Sequence, residues 1–378
     1  MANILLTGGR APVTLDLARA FHRAGHSVFM AESLRGHLSQ PSNAIKQNFV
    51  VPAPRQETEA FLSSLKRIIE ENQIELLIPT CEEVFHIAKG LKTLPCRVFA
   101  EPLDRLDIFH NKWNFANSAR ECGLPAPDTV LIEDERTLLD AFARWKGLVL
   151  KPVYSRFASR TLILPALREA LSMLTFDRTW IAQQFVAGRQ FCSYSVSQHG
   201  RIVAHVVYPA IFTAGQGATI SFQAVEHEKI FHWVHTFASH FNVTGQMAFD
   251  FIESPDGEVY ALECNPRATS GVHLLASNPR FVESFFDPRI ECVRPTSNSP
   301  RMLGTAMLVY GLPDALKKRN LGAWLRTFSQ SRDVIWDLRD PLPFFLQWRS
   351  ILAYLALGMK HNISALEAST FDIEWNGE

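Results

Sequence analysis

The chain has 378 residues, of which 47% are apolar and 20% charged, a balance typical of soluble globular proteins. This length predicts roughly two or three domains. Lysine and arginine together number 38, as do aspartate and glutamate, so the formal net charge is zero. A neutral chain lacks the basic excess that broad binding to DNA or RNA requires, so we expect no nucleic-acid partner.

The six cysteines are scattered, and no two of them form a CxxC pair, so a zinc site is not expected. Such thiols fit a reducing cytosol, and the first residues do not resemble a signal peptide, so the sequence predicts a cytoplasmic protein. The apolar stretch 341–359 contains two prolines and a central Arg349. We therefore expect a buried or amphipathic helix there and no stable membrane insertion.

The first part of the chain has the alternating pattern of a Rossmann-like α/β domain. A short apolar strand at 4–6 is followed by a glycine turn, a helix with apolar residues at helical spacing over 13–24, and a second strand at 27–31. The turn lacks the GxGxxG fingerprint, so it does not predict dinucleotide binding. Further helices are predicted at 61–72 and 82–91, and further strands at 74–79 and 97–100.

The later segments predict an α+β region and then a helical one. A helix running from His110 to Gly123 precedes predicted strands at 129–132, 148–151 and 180–186. Two hairpins follow, one turning at His199–Gly200 and one at 255–257. From residue 301 onward the pattern is mainly helical. We predict domains at 1–105, 106–186 and 187–295, and a helical segment at 296–378.

Two carboxylates are predicted to converge on the second hairpin. A turn at 255–257 brings Asp250 roughly opposite Glu263, with Asn265 and Arg267 just beyond. Carboxylate and amide oxygens suit Mg²⁺ bound to nucleotide phosphates, and an arginine can contact a phosphate or a carboxylate. The alternative is a polar hairpin whose carboxylates face solvent.

Two lysines and one strand complete the candidate site. Lys151 ends an apolar run and precedes a proline, and Lys112 lies early on its helix, so both can reach a phosphate, although most lysines are simply solvated. In the strand 180–186, the backbone of Phe185 and Val186 and the side chain of Gln183 or Gln184 can pair with a purine. An ordinary amphipathic strand is the alternative.

Taken in order, these motifs resemble the ATP-grasp superfamily over roughly residues 1–290. The matching features are a lysine early on a helix that leads into Gly123-Leu124-Pro125-Ala126-Pro127, an apolar-Lys-Pro strand end at Lys151, and an aspartate followed by Glu-x-Asn-x-Arg at 263–267. The resemblance implies a Rossmann-like domain, a two-subdomain ATP-grasp fold and a helical C-terminal segment.

The resemblance also implies roles for particular residues. Lys112 and Lys151 would bind the ATP phosphates, and Arg267 would face the transferred phosphate or the substrate carboxylate. Mg²⁺ would be held by Asp250, Glu263 and Asn265. The nucleotide would be contacted by Gln183, Gln184, Phe185, Val186, Gln190 and Arg156.

The sequence departs from the family at two places. Glutamines, including Gln190, stand where acidic residues usually meet the adenine and the ribose, and a glutamine can still accept from an amino or hydroxyl group. The loop 154–160 after the second lysine has no glycine, and Arg156 and Arg160 can replace its usual backbone donors.

The implied activity is that of an ATP-dependent carboxylate–amine ligase. Such an enzyme phosphorylates a small carboxylate to an acyl phosphate and couples it to an amine, with ADP and phosphate as products. Its partners would be small molecules, and a homodimer is a fair expectation. Two alternatives remain open, a kinase that phosphorylates a hydroxyl and a nucleotide-binding regulatory module without catalysis.

Overall fold

The first part of the chain is a parallel sheet covered by helices on both faces. The computed structural model describes residues 1–156, 160–176, 178–215 and 217–378. The first elements are strands β1 (Asn3–Thr7), β2 (Ser27–Glu32), β3 (Gln47–Val50), β4 (Leu76–Ile78) and β5 (Arg97–Val98), and helices α1 (Pro12–Arg23), α2 (Thr58–Glu71), α3 (Glu83–Ala88) and α4 (Leu103–His110). The strand order β3-β2-β1-β4-β5, parallel throughout, confirms the Rossmann-like prediction.

Alternation along β1 distributes its side chains between two cores. Ile4 and Leu6 pack with Phe21 of α1 on one face of the sheet. Leu5, on the other face, packs with Phe61 of α2. Because successive side chains of a strand point to opposite faces, a buried parallel strand must be apolar throughout, which is why 4–6 has no polar residue.

A small antiparallel sheet forms the second part. The elements are α5 (Lys112–Glu121), β6 (Thr129–Ile132), α6 (Glu135–Arg144), β7 (Leu148–Pro152), β8 (Leu162–Ile163), α7 (Leu167–Met173) and β9 (Trp180–Gln184). The strands lie in the order β6-β9-β7-β8. This sheet packs against α6 and α7 through a core of its own, which includes Leu138, Leu150 and Trp180.

A second antiparallel sheet follows and holds the hairpin of interest. The elements are β10 (Arg189–Gln198), β11 (Arg201–Pro209), β12 (Thr213–Ala214), β13 (Ala218–Thr219), β14 (Ser221–Phe222), α8 (Glu228–His240), β15 (Gly245–Glu253), β16 (Val259–Asn265), α9 (Val272–Leu275) and a 3₁₀ helix (Pro279–Phe285). The main sheet has the order β11-β10-β15-β16. Helix α8 covers it with Trp233 and Phe237, which pack on Phe249 and Phe251.

The last part is mainly helical, as the sequence predicts. The elements are β17 (Arg301–Met302), α10 (Gly304–Ala306), a π-helix (Met307–Gly311), α11 (Leu312–Lys317), α12 (Leu321–Gln330), β18 (Arg332–Asp333), α13 (Leu342–His361) and α14 (Ala365–Ala368). Strand β17 pairs with β14 and β18, so this segment shares a small sheet with the preceding part. Among the described residues, α13 is the one helix whose length and composition would allow it to cross a membrane. Only 17% of its apolar 18-residue stretch is buried inside the protein.

The sequence prediction missed several elements, among them β3, α4, α6, α7 and α8. Strand β3 lies at the sheet edge and has a mixed pattern, Gln-Asn-Phe-Val, which predicts no strand. Helix α4 spans the predicted domain boundary at residue 105 and leads through Asn111 into α5. The domain limits themselves stay predictions.

A buried ion pair attaches the helical segment to the first domain. Arg19, on α1, donates through Nε to Oδ2 of Asp340 at 2.9 Å and through Nη2 to the Asp340 carbonyl at 2.9 Å. Asp340 also accepts from the hydroxyl of Ser42 at 2.6 Å and the backbone N–H of Asn43 at 2.9 Å. Because both charges are buried, each depends on the other for solvation.

We therefore expect Asp340→Ala to be strongly destabilising. Removing Asp340 leaves the buried Arg19 with only the longer contact to Asp16 at 3.8 Å, and breaking a buried pair typically costs about 3–5 kcal/mol in the free energy of unfolding. The matched control is Asp314→Ala, which breaks the exposed pair with Lys318 and should cost less than about 1 kcal/mol. Denaturant unfolding measures both, and equal effects of the two variants would contradict the assignment.

Candidate active site

The hairpin of β15 and β16 brings the predicted carboxylates together. Asp250 and Glu263 are cross-strand partners, which confirms the predicted register, and their side chains are hydrogen-bonded to each other. Asn265 follows two residues after Glu263 and lies opposite Ala248. Residues two apart on a strand face the same side, so Glu263 and Asn265 point to one wall.

The two carboxylates have opposite electrostatic environments. Burial and the neighbouring Glu263 raise the pKa of Asp250 to about 7. Burial alone would also raise the pKa of Glu263, but Lys112 and Lys151 outweigh it and hold that pKa below its usual range. Asp250 is therefore the carboxylate of the pair that takes up a proton more readily, because two adjacent carboxylates do not readily both ionise.

Both predicted lysines lie against this pair. Lys112 is the first residue of α5, whose start is fixed by Asn111, since its side chain accepts from the backbone N–H groups of residues 113 and 114. The Nζ atom of Lys112 lies 3.5 Å from Oε2 of Glu263. Lys151, near the end of β7, donates from Nζ to Oε1 of Gln183 at 3.0 Å. Burial lowers the pKa of Lys151, while Glu263 and Asp250 oppose that shift.

The donor set fits a magnesium ion. Within the described residues no group of three His, Cys, Asp or Glu side chains is placed to hold a metal, so the candidate site consists of two carboxylates and the amide oxygen of Asn265. These are hard oxygen ligands, and Mg²⁺ is commonly held by one or two carboxylates plus phosphate oxygens. A divalent cation would also relieve the repulsion between Asp250 and Glu263.

Arg267 is anchored beside this set. It donates to Oδ1 of Asn265 at 3.3 Å and to the carbonyl of Ala268 at 3.2 Å. Its Nη2 atom also lies 3.7 Å from Oε1 of Glu82, a buried residue just after β4. The guanidinium is thus held at the carboxylate wall by groups on both sides.

Glu82 organises several segments around the site. Its carboxylate accepts from the backbone N–H of Trp375 at 3.2 Å and from Nε of Arg156. Burial opposes ionisation of Glu82, but Arg156, His110 and Arg267 outweigh it and lower its pKa to about 2. Glu82 is therefore ionised at neutral pH, and it connects the first domain to the loop after β7 and to the C-terminus.

In the structure Arg156 contacts the C-terminal segment as well as Glu82. It donates to Oε2 of Glu374 at 2.9 Å and to the carbonyl of Trp375 at 2.6 Å. The predicted loop continues through residues 157–159, which lie outside the described residues. In this structure Arg156 therefore anchors the start of that loop, and its predicted contact with nucleotide stays a prediction.

The strand predicted to contact adenine lines the same cavity, and several of its polar groups are already hydrogen-bonded within the protein. The side chain of Gln183 bonds Lys151 and also Thr129 at 3.3 Å, and the backbone N–H of Phe185 donates to the carbonyl of Gly147 at 3.0 Å. Gln184, Val186 and Gln190 line the cavity together with Phe185. Gln183 thus supports the lysine, and the other predicted contacts stay predictions.

One cavity of about 730 Å³ unites these groups. Its lining includes the predicted residues Arg156, Lys151, Gln183, Gln184, Phe185, Val186, Gln190, Asp250, Glu263, Asn265 and Arg267. It also includes residues 10–13 of the first domain and parts of the helical segment, among them Tyr354 and Ile373. Lys112 reaches the same carboxylates through its salt bridge to Glu263.

Sequence reasoning missed Glu82 and the C-terminal contacts. A signal for Glu82 existed, because polar residues directly after a buried parallel strand lie at the sheet edge where α/β proteins bind ligands. The contacts of Glu374 and Trp375 had no local signal, since Glu82 and Trp375 are 293 residues apart in the chain.

The central part of the chain is similar to a known domain family. Residues 109–271 match the family model described as an ATP-grasp domain. No curated protein matches the chain in a sequence search.

Solved structures share the fold over most of the chain. The ADP complex of N5-carboxyaminoimidazole synthetase from Staphylococcus aureus has a TM-score of 0.66 at 9% identity, covering 84% of this chain and 86% of that one. The L-amino acid ligase from Bacillus licheniformis has a TM-score of 0.62 at 15% identity, covering 80% of each chain. A third structure is the biotin carboxylase domain dimer of Hydrogenobacter thermophilus 2-oxoglutarate carboxylase, in complex with MgADP, ADP and bicarbonate. It has a TM-score of 0.65 at 12% identity, and the match covers 80% of this chain and 74% of that one.

We expect Glu82→Gln to destabilise the protein at neutral pH. The variant leaves Arg156 and Arg267 without the carboxylate between them, a loss of about 3–5 kcal/mol in the free energy of unfolding. Because folding lowers the pKa of Glu82, its contribution is present above about pH 4.3 and is lost as the pH falls toward the folded value of about 2. Unfolding at pH 7 and pH 3 should show a difference from wild type that is smaller at pH 3, whereas the control Glu71→Gln, at an exposed position, should differ little from wild type at either pH.

The opposite pH dependence is expected at Asp250. Its folded pKa of about 7 lies above the unfolded value of about 3.9, so the metal-free folded state binds an extra proton between these values. Its contribution to stability is therefore complete below about pH 4 and declines as the pH rises through 7. The stability of wild type relative to Asp250→Asn, measured by urea unfolding with a chelator, should fall over this range. A difference that rises with pH would contradict the assignment.

Proposed function

We propose that this chain, an ATP-grasp protein, is an ATP-dependent ligase that activates a small carboxylate as an acyl phosphate and couples it to an amine. One observation carries the proposal, namely that Lys151, Asp250, Glu263 and Arg267 line one cavity and that Lys112 is paired with Glu263. Two cations, a pair of carboxylates and an arginine are the groups that phosphoryl transfer needs for positioning and charge stabilisation.

The cofactors of this reaction are ATP and Mg²⁺. Asp250, Glu263 and Asn265 would hold Mg²⁺, which supplies charge stabilisation for the phosphates when bound. Lys112 and Lys151 would neutralise phosphate oxygens. Both lysines are now oriented by groups in the site, Glu263 for one and Gln183 for the other, so little reorganisation is needed when ATP arrives.

The chemistry explains why an arginine stands beside the carboxylate wall. In the first step a substrate carboxylate oxygen attacks the γ-phosphorus, the bond to the bridging oxygen breaks, and ADP leaves with that electron pair. In the second step the amine nitrogen attacks the acyl carbon, phosphate departs with the former carboxylate oxygen, and the amine loses a proton. Arg267, held by Asn265 and Ala268, would orient the carboxylate or the transferring phosphoryl group.

The loop after β7 would exclude water from the acyl phosphate. Its first part is tied down by Arg156, which bonds Glu82, Glu374 and the Trp375 carbonyl. An acyl phosphate hydrolyses readily, so a covered site is required for coupling to an amine. In this proposal Arg156 holds the loop start in place and meets the nucleotide from that position.

The wider assignments follow from the same proposal. The partners would be a small carboxylate and an amine, the compartment the cytoplasm, and the assembly a homodimer, without nucleic acid or stable membrane insertion. The solved relatives named above include a ligase for amino acids and a domain described as a dimer, which supports the small-molecule and dimer assignments.

A direct assay tests the reaction class. The protein is incubated with Mg-ATP and pools of carboxylic acids and amines, and ADP, free phosphate and product mass are followed. ADP and phosphate released together with a condensed product support the ligase. A stable phosphorylated hydroxyl compound would indicate a kinase, and nucleotide binding without any turnover would indicate a regulatory module.

Glu263→Gln should abolish turnover while the protein stays folded. The substitution keeps the size but removes a metal-binding charge, so we expect a loss in kcat greater than the roughly 10–100-fold typical of changes outside the inner ligands of a metal. The matched control is Glu258→Gln on the same hairpin, where Glu258 is exposed and pairs with Lys229. Steady-state kinetics together with thermal unfolding measures both, and full activity of Glu263→Gln would remove the metal assignment.

A further inference from the structure

The cavity extends well beyond the groups that handle ATP. From Arg267 it continues between the first domain and the C-terminal helices, which are attached to each other there. The hydroxyl of Ser350 on α13 donates to the carbonyl of Gly36 at 3.0 Å, and Arg10 bonds Asp372 at 2.5 Å. This second region, which we call the C-terminal pocket, is lined chiefly by Leu303, Ala306, Ile335, Ile351, Leu366 and Ile373.

The polar groups in this pocket are already paired within the protein. Thr305 donates to Oε1 of Gln347 at 2.9 Å, and Nε2 of Gln347 donates to the carbonyl of Phe344 at 2.8 Å. The hydroxyl of Ser369 donates to the Leu366 carbonyl at 2.6 Å. These donors are thus already used by acceptors of the protein, so the pocket offers a polar ligand few free hydrogen-bond donors.

The charge near the pocket is also balanced. Arg10 is buried and contacts two carboxylates, Glu32 at 2.6 Å and Asp372 at 2.5 Å. Its guanidinium is therefore neutralised, and it offers no attraction for a second anionic group on a ligand. Arg267 stands at the other end of the cavity, near the metal-binding carboxylates, and is the cation suited to a substrate carboxylate.

The pocket opens onto an apolar surface. Val309, Tyr310 and Ile351 line the cavity and are nevertheless 56%, 45% and 42% exposed, so they mark its mouth. Other large apolar side chains are exposed on the same helices, namely Leu308, Phe345, Trp348, Leu352 and Leu355. Apolar side chains thus line both the interior of the cavity and its mouth, which fits the entry of an apolar molecule.

We propose that the carboxylate substrate carries an extended apolar chain, which lies in the C-terminal pocket while its carboxylate faces Arg267 and the ATP γ-phosphate. This inference rests on the proposed function and specifies its substrate class. Each methylene group transferred from water into such a pocket contributes binding energy, whereas a polar chain would lose its hydrogen bonds with water. Small polar acids should accordingly be poor substrates.

A chain-length series tests the substrate class without knowledge of the amine. The full-length protein is assayed with Mg-ATP, hydroxylamine as the nucleophile, and straight-chain acids from butanoate to decanoate kept below their micelle concentrations. Hydroxylamine attacks the acyl phosphate, so ADP, phosphate and a hydroxamate form together. We expect kcat/KM to rise about three- to fourfold per methylene. Glutarate and adipate, which have a second carboxylate, should react far more slowly than hexanoate.

Two variants at neighbouring positions test whether the dependence of kcat/KM on chain length arises in the C-terminal pocket. Ile351→Glu places a carboxylate at the mouth of the pocket and should lower kcat/KM for decanoate by about tenfold or more, with little change for butanoate. The matched control is Leu352→Glu, the next residue on α13, which is 53% exposed and lies outside the cavity lining. It should leave both values unchanged, and because both side chains are exposed, both variants should fold.

The outcomes separate the two levels of the proposal. Acid-dependent ADP formation that is independent of chain length, or that favours dicarboxylates, overturns the apolar-chain inference and leaves the ligase intact. Equal effects of Ile351→Glu and Leu352→Glu would also overturn it. Absence of ADP formation with all of these acids overturns the apolar-chain inference. If ADP formation is absent also with the wider pools of carboxylic acids and amines, while calorimetry shows Mg-ATP binding, the ligase is overturned as well.

Discussion

The carboxylate of Glu82 is the interaction on which the architecture of the site depends. It is buried, so its charge needs partners, and these come from three other parts of the chain: Arg156 after β7, Arg267 after β16, and the backbone of Trp375. A buried charge that loses one partner is strongly destabilising. The charge of Glu82 is therefore stabilised only when the four segments are assembled, which holds Arg156 at the start of the loop, the hairpin and the C-terminus around one cavity.

The charges of the site itself are arranged for exchange of partners. In the structure Lys112 lies against Glu263, and burial together with the charge of Glu263 raises the pKa of Asp250. When Mg-ATP binds, the carboxylates would turn to the metal and the lysines to phosphate, so each charge would keep a partner throughout. Such an exchange would avoid an uncompensated buried charge, which is a physical reason for two lysines to lie beside two carboxylates.

The sequence predicted those features that depend on local patterns. The turn at 255–257 set the register that places Asp250 opposite Glu263, and the apolar run before Lys151 indicated a buried strand. The sequence did not predict the contact of Glu82 with Trp375, because neither residue carries a local signal of a partner 293 residues away. For the same reason Arg156 was interpreted from its loop alone, and its contacts with Glu82 and Glu374 were missed.

The C-terminal segment is part of the site, although the ATP-grasp match ends at residue 271. Asp372 and Glu374 are two residues apart, yet one holds Arg10 of the glycine turn and the other holds Arg156 of the loop. The same short stretch ends in Trp375, which stacks on Phe85 beside Glu82 at 5.5 Å between ring centroids. Because the wall of the C-terminal pocket and the anchor of the loop belong to one continuous stretch, displacement of that stretch would disturb substrate and nucleotide regions together. The segment thus couples the shape of the pocket to the position of the loop.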